Sequence, residues 1–173
     1  MTDKPGEILI AADELERRAA ELGREISRDF PDTKLHLIGV LRGSAIFFAD
    51  LARTITGPVT FDFVTLTSYI KTRSSGVVRE LQGLQENIKG ETVIVVEDIV
   101  DTGITLRHLL DSLEEHSPAE IRVCTMLDKP AGREVSVCVD YVGFTIAERF
   151  VVGYGLDCEG KYRNLPDIHV LNG

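Results

Sequence analysis

A chain of 173 residues with 43% hydrophobic and 27% charged residues has the balance of one folded domain, which excludes a disordered or low-complexity polypeptide. A formal net charge of -9 and an isoelectric point of about 4.9 disfavour nucleic acid and anionic lipid as partners, because both would repel it. No apolar run approaches bilayer length, and the N-terminal "MTDKPGEILIAADELERR" carries early acids instead of a leader's apolar stretch, so neither a membrane nor a secretory signal is expected.

From the N-terminus, "DELERRAAELGREISRDF" sets Leu15, Ala19, Leu22, Ile26 and Phe30 at helical spacing, with Asp13 and Glu16 placed as a cap and its answering carboxylate. "KLHLIGVL" is a buried strand, and after Arg42-Gly43-Ser44 a second helix is predicted from Phe47, Leu51 and Ile55. "VTFDFVTLTSY" alternates as a strand does. "IKTRSSGVVRE", residues 70 to 80, has no period and is long for a connection, which suits either a functional lid or a solvated hairpin tip. "TVIVV" is a short continuous strand, and "TLRHLLDSLEEH" places Leu106, Leu109, Leu110 and Leu113 on one helical face. "IRVCTML", "YVGFTI" and "DIHVL" complete the strands. The alternation predicts parallel βαβ units, an α/β sheet with helices on both faces. Ligands of such sheets sit beyond the carboxyl ends of the strands, here Leu41 to Ser44, Glu97 to Thr105, and the stretch after Leu127.

The three cysteines, Cys124, Cys138 and Cys158, are odd in number, widely spaced and without a C-x-x-C pair. They fit a reducing, cytoplasmic location and no zinc site.

The densest chemistry lies in "VIVVEDIVDTGITL", residues 93 to 106. A helix N-terminus offers unpaired N–H groups and the positive end of its dipole. Thr102, Gly103 and Thr105 add two hydroxyls and a residue without a side chain, so this turn is a seat for a phosphate. Glu97, Asp98 and Asp101 precede it and should project from the strand end. Beside a phosphorylated sugar they could accept ribose hydroxyls, hold Mg²⁺ or stabilise positive charge. Capping alone would explain one acid, not three. Neither G-x-x-x-x-G-K-[ST] nor G-x-G-x-x-G occurs, which excludes a P-loop and leaves a dinucleotide fold unsupported.

"VVEDIVDTGITL" closely resembles the phosphoribosyl pyrophosphate motif of the 6-oxopurine phosphoribosyltransferases, the hypoxanthine-guanine phosphoribosyltransferase family. "VLRGSAIF" resembles that family's first loop, "TSYIKTRSSG" its lid, "LDKPAGR" its base-recognition segment and "RFVVGYGLDCEGKYRNLP" its C-terminal signature, all in the family's order from residue 40 to 166. The resemblance implies a single type I phosphoribosyltransferase domain over residues 1–173. Its central, mainly parallel sheet would be flanked by helices, with a small hood from the terminal segments and a lid at about 69–80. It implies Mg²⁺-dependent transfer of phosphoribosyl from phosphoribosyl pyrophosphate to hypoxanthine or guanine, in a homodimer or homotetramer.

Residue by residue, the resemblance places Glu97 and Asp98 at the ribose hydroxyls with Mg²⁺, and Asp101 at the purine's N7 as proton acceptor or donor. It assigns the 5'-phosphate to Thr102, Gly103 and Thr105, and the pyrophosphate to Arg42, Gly43 and Arg163, with a cis peptide at Leu41-Arg42. Many relatives have lysine where Arg42 stands. Ser68 and Tyr69 would begin the lid. Lys129 would donate to the 6-oxo group, Phe150 would stack on the purine, Val151 would read the base edge through its backbone, and Asp157 would be a second Mg²⁺ ligand. Taken alone, Lys129 before Pro130 is an ordinary solvated turn residue, "FVVGYGL" is core, and Asp157 and Arg163 are halves of surface ion pairs. Lys129 disfavours adenine, because an ammonium can only donate. A nucleic-acid-binding regulator on the same fold is disfavoured by the charge and by the intact set Asp101, Lys129 and Asp157.

Overall fold

The computed structural model describes residues 4–70 and 77–172, with the side chains of 67–70, 77–82 and 172 left aside. Nine strands and three α-helices follow in the order β1 (Lys4–Ile10), α1 (Ala12–Asp29), β2 (Leu35–Leu41), α2 (Ala45–Ala52), β3 (Val59–Ile70), β4 (Val77–Gln82), β5 (Thr92–Val100), α3 (Ile104–Glu114), β6 (Glu120–Asp128), β7 (Tyr141–Thr145), β8 (Val151–Val152) and β9 (Ile168–Asn172). The main sheet runs β4-β3-β2-β5-β6-β7, with five parallel strands and β4 antiparallel at one edge. A small antiparallel sheet, β1-β9-β8, forms the expected hood from the two terminal segments.

The central strands β2 and β5 are apolar at consecutive positions because both faces are covered. Leu35, Leu37, Ile94 and Val96 pack under α1 and α2 with Leu15, Leu22, Ile26, Phe47 and Leu51. The opposite face of the sheet, with Ile38, Val40, Val93 and Val95, is covered by Leu106, Leu109 and Leu113 of α3. This two-sided core fixes where the strands end, and therefore where a ligand can enter.

Several boundaries differ from the reading above. Helix α1 begins at Ala12, and its N-cap, Ala11, lies two residues before the predicted Asp13 cap. Its first N–H groups are met by Glu14, which accepts from Ala11 N–H at 3.1 Å, and by Asp167, which accepts from Ala12 N–H at 2.8 Å across the hood. Helix α2 stops at Ala52, and Ile55 is buried beyond it. Strand β3 alternates with the opposite sense from its composition: Asp62 and Val64 are buried, while Phe61 and Phe63 are exposed beside Phe48. Asp62 tolerates this because its carboxylate accepts the N–H groups of Gln85 and Glu86. Strands β1, β4 and β8 were not predicted. Strand β4 pairs with β3 as a hairpin, and its connecting residues 71–76, the centre of the expected lid, lie outside the described residues.

Candidate active site

Strand β5 does not end at Val96 as "TVIVV" suggested. It continues through Glu97 and Asp98 to Val100, paired with β6 as far as Val100 opposite Asp128, so these two acids are strand residues and not a loop before the turn. Glu97 is buried at 6% exposure. Asp98 lies under the β2–α2 loop: a Cβ on Gly43 would fall 1.7 Å from its Oδ2, so any side chain there would displace the carboxylate. Burial pushes the Asp98 carboxyl up to about 6, against the pull of its own and the Ile99 N–H groups and of Arg163, while Asp157 adds to the rise.

Asp101, Thr102 and Gly103 then form the turn into α3. Gly103 has φ 81°, a left-handed conformation suited to glycine, and its missing Cβ would lie 2.6 Å from the Val135 carbonyl. A cavity of about 220 Å³ opens here, lined by Glu97, Asp101, Thr102, Gly103 and Thr105 among others. The helix start, the two hydroxyls and the glycine therefore converge as predicted, with Thr102 Oγ1 accepting the Ile104 N–H at 3.4 Å, and a helix start of this kind suits an anion.

Lys129 follows β6. Its N–H donates to the Val100 carbonyl at 2.9 Å, and its ammonium, buried at 7% exposure, reaches Asp101 Oδ2 at 3.2 Å. A buried lysine paired with a carboxylate at adjacent strand ends is not the solvated turn residue its neighbours in sequence suggest. Asp101 Oδ1 and the Glu148 carboxylate share the space that a Gly132 Cβ would fill, at 2.4 and 2.9 Å from that position.

On the other side, the Leu41–Arg42 peptide is cis, as expected from the resemblance, and Arg42 is exposed. Gly155 lies on this loop, its missing Cβ 2.1 Å from the Gly43 carbonyl. Arg163 joins the same cluster, donating to the Gly155 carbonyl at 2.6 Å and pairing with Asp157 Oδ1 at 2.6 Å. Asp157 and Arg163 thus form an ion pair with each other, and both act on Asp98 through space.

The hood supplies Phe150, which is 57% exposed, and Val151, which is buried. The Leu171 N–H donates to the Phe150 carbonyl, so Val151 and Val170 form a non-hydrogen-bonded pair of the antiparallel ladder. The N–H and C=O of Val151 therefore point away from β9, toward the side of β8 that carries no further strand. Ser68 and Tyr69 lie near the end of β3, opposite Arg79 and Val78 of β4, and their side chains lie outside what is described.

Gly132 and Gly155 had no assigned role in the sequence reading. The signal for Gly155 was its place two residues after Gly153, both with positive φ, in a segment otherwise apolar. For Gly132 nothing local marks it, since both contacts come from distant residues.

As to metal ligands, no group of three His, Cys, Asp or Glu side chains converges among the described residues. Asp98 and Asp157, close enough for one to raise the pKa of the other, nevertheless fit Mg²⁺ in its usual mode, since the ion favours oxygen donors and commonly takes one or two carboxylates, with the rest from water and substrate phosphates.

The phosphoribosyl transferase domain family matches residues 7–159. A hypoxanthine-guanine phosphoribosyltransferase of Mycobacterium avium is 47% identical, over 97% of this chain and 88% of its own. A crystal structure of the Bacillus anthracis hypoxanthine-guanine phosphoribosyltransferase superposes with a TM-score of 0.88 at 42% identity, covering 98% of this chain and 99% of that one. A mutant hypoxanthine phosphoribosyltransferase of Trypanosoma cruzi, solved as a ternary substrates complex, gives 0.91 at 36% identity over 97% and 96% of the two chains.

Proposed function

Because this chain belongs to the hypoxanthine-guanine phosphoribosyltransferases, within the phosphoribosyl transferase domain family, we propose a role for each residue of the site. The enzyme transfers the phosphoribosyl group from phosphoribosyl pyrophosphate to N9 of hypoxanthine or guanine, giving IMP or GMP plus pyrophosphate, a purine salvage reaction. Residues 1–173 act as one domain.

Thr102, Gly103 and Thr105 with the α3 N-terminus hold the 5'-phosphate. Glu97 and Asp98 face the ribose hydroxyls. Loss of pyrophosphate builds positive charge on the sugar, and the two carboxylates stabilise it at fixed positions. Glu97, Asp98 and Asp157, together with substrate oxygens, would hold Mg²⁺, which when bound would supply charge neutralisation for the leaving pyrophosphate. The backbone at Arg42 and Gly43, and the Arg163 guanidinium, bind that group from the other side. Asp101 takes the proton that N7 gives up as N9 bonds to the sugar. Lys129 leaves Asp101 for the 6-oxo group when a base arrives. Phe150 stacks on the purine, and the outward N–H and C=O of Val151 meet its edge. Ser68 and Tyr69 belong to the lid that excludes water.

The observation that supports this reading is the Lys129–Asp101 pair at 3.2 Å, with Asp101 lining the cavity at the turn: a cation suited to donate to a 6-oxo group stands next to a carboxylate suited to accept a proton. The test is a spectrophotometric assay with phosphoribosyl pyrophosphate, Mg²⁺ and each of hypoxanthine, guanine, xanthine and adenine. Turnover should be confined to 6-oxopurines and lost when Mg²⁺ is chelated. Turnover of adenine at a comparable rate would refute the role of Lys129.

We further place the protein in the cytoplasm, on three cysteines that are all free, and as a homodimer or homotetramer. The exposed Phe61 and Phe63 lie on the stretch of β3 before Thr65, where β4 no longer pairs, an apolar surface suited to a second copy. Sedimentation velocity tests this, and a monomer at micromolar concentration would refute it.

A further inference from the structure

The residues after Lys129 do more than carry the lysine. The Thr102 carbonyl accepts two N–H groups from them, Glu134 at 2.9 Å and Val135 at 3.0 Å. The Thr102–Gly103 peptide is trans, so its C=O and N–H point in opposite directions. Holding the Thr102 carbonyl toward residues 134 and 135 turns the Gly103 N–H the other way. The cavity at the turn lies on that other side, since Gly103 lines it and no residue of 133–135 does.

Arg133 anchors this segment. Its Cδ lies 2.9 Å from the position of the Cβ that Gly103 lacks, and its Nη2 forms a tight ion pair with Asp128 at the end of β6. Its Nε and Nη1 are buried without a hydrogen-bond partner among the described residues. Unsatisfied donors are costly to bury, and an apolar side chain would fill the same space at less cost. Packing alone does not account for the guanidinium.

We propose that Arg133 is a positioning residue for the sugar-phosphate subsite: braced by Asp128, it keeps residues 133–135 over the Thr102–Gly103 turn, so that the Gly103 N–H faces the bound phosphate. This rests on the turn being the 5'-phosphate seat. It also links the base-recognition segment to the phosphate turn through three adjacent residues.

The test compares Arg133→Ala, Arg133→Lys and Thr105→Ala in steady-state assays, with KM for phosphoribosyl pyrophosphate and for hypoxanthine measured separately. In the Arg133 variants KM for phosphoribosyl pyrophosphate should rise about tenfold, the worth of one hydrogen bond to a charged group, while KM for hypoxanthine stays at the wild-type value. Millimolar guanidinium ion should restore part of the loss in Arg133→Ala and none in Arg133→Lys, where the lysine blocks the gap. If Arg133→Ala does not fold, the Lys variant carries the same KM comparison. Equal rises in both KM values, or no rise in either, with Thr105→Ala still raising KM for phosphoribosyl pyrophosphate, would overturn the inference alone. A wild-type KM for phosphoribosyl pyrophosphate in Thr105→Ala would overturn the phosphate-seat reading, and the inference with it.

Discussion

The two sides of the site are built from different material. The β5–α3 side is a single βα unit, in which a buried strand, one left-handed glycine and a helix start set the positions of Glu97, Asp98, Asp101 and Thr102 by backbone geometry. The hood side, from Phe150 to Arg163, has only two strand residues and is held by main-chain contacts with Gly43 and by the Asp157–Arg163 and Tyr154–Asp50 pairs. The first side is preorganised by the core and so suits charge stabilisation and proton transfer, where small displacements are expensive. The second is locally irregular and suits recognition.

That contrast can be broken most directly at Asp101. Asp101→Asn should lower kcat by about 10²–10⁴, the usual worth of a general base, and a stopped assay showing less than a tenfold loss would remove Asp101 from the chemistry. Lys129→Gln should lower kcat/KM for hypoxanthine by about 10–100-fold, as loss of a charged hydrogen bond does. It should also admit adenine, because the amide can accept; unchanged base selectivity would place recognition elsewhere. Gly103→Ala meets both a left-handed φ and the Val135 carbonyl, and should cost about 1–3 kcal/mol of stability in urea titration. Gly160→Ala has a similar φ of 80° but nothing within 4 Å of the added Cβ, so it should cost less; equal losses would show that the turn is not tightly packed. The smallest structural effect belongs to the hood. Phe150→Ala should leave stability within about 0.5 kcal/mol, as surface substitutions do, while KM for the base rises several-fold from loss of about 1 kcal/mol of stacking.

The same division governs what could be read in advance. The parallel core was legible because strands covered on both faces are continuously apolar, and the convergence of polar groups at the β5–α3 turn was legible because three acids and two threonines exceed what a cap requires. The length of β5 was not, since pairing of Glu97 with Thr125 and of Ile99 with Leu127 extends it through Glu97 and Asp98, whose own preferences oppose a strand. The start of α1 depends on Asp167, which lies 155 residues away. The sense of β3 was hidden because Phe61 and Phe63 look like core and Asp62 does not. Lys129 stood out only through resemblance, its partner Asp101 being 28 positions earlier. Arg133 and Gly132 act through contacts that no local pattern encodes.

The outward N–H and C=O of Val151 carry one more implication. Whatever docks along that edge is met by main-chain atoms, and main-chain atoms are common to every amino acid. Variation at residue 151 can alter fit and solubility, yet leaves the donor and acceptor in place. Proline is the exception, since it alone deletes the N–H. Under the proposed roles, recognition there is thus insulated from point mutation, and drift in preference among bases is expected to arise at Lys129 and Phe150, where the proposed contact is a side chain.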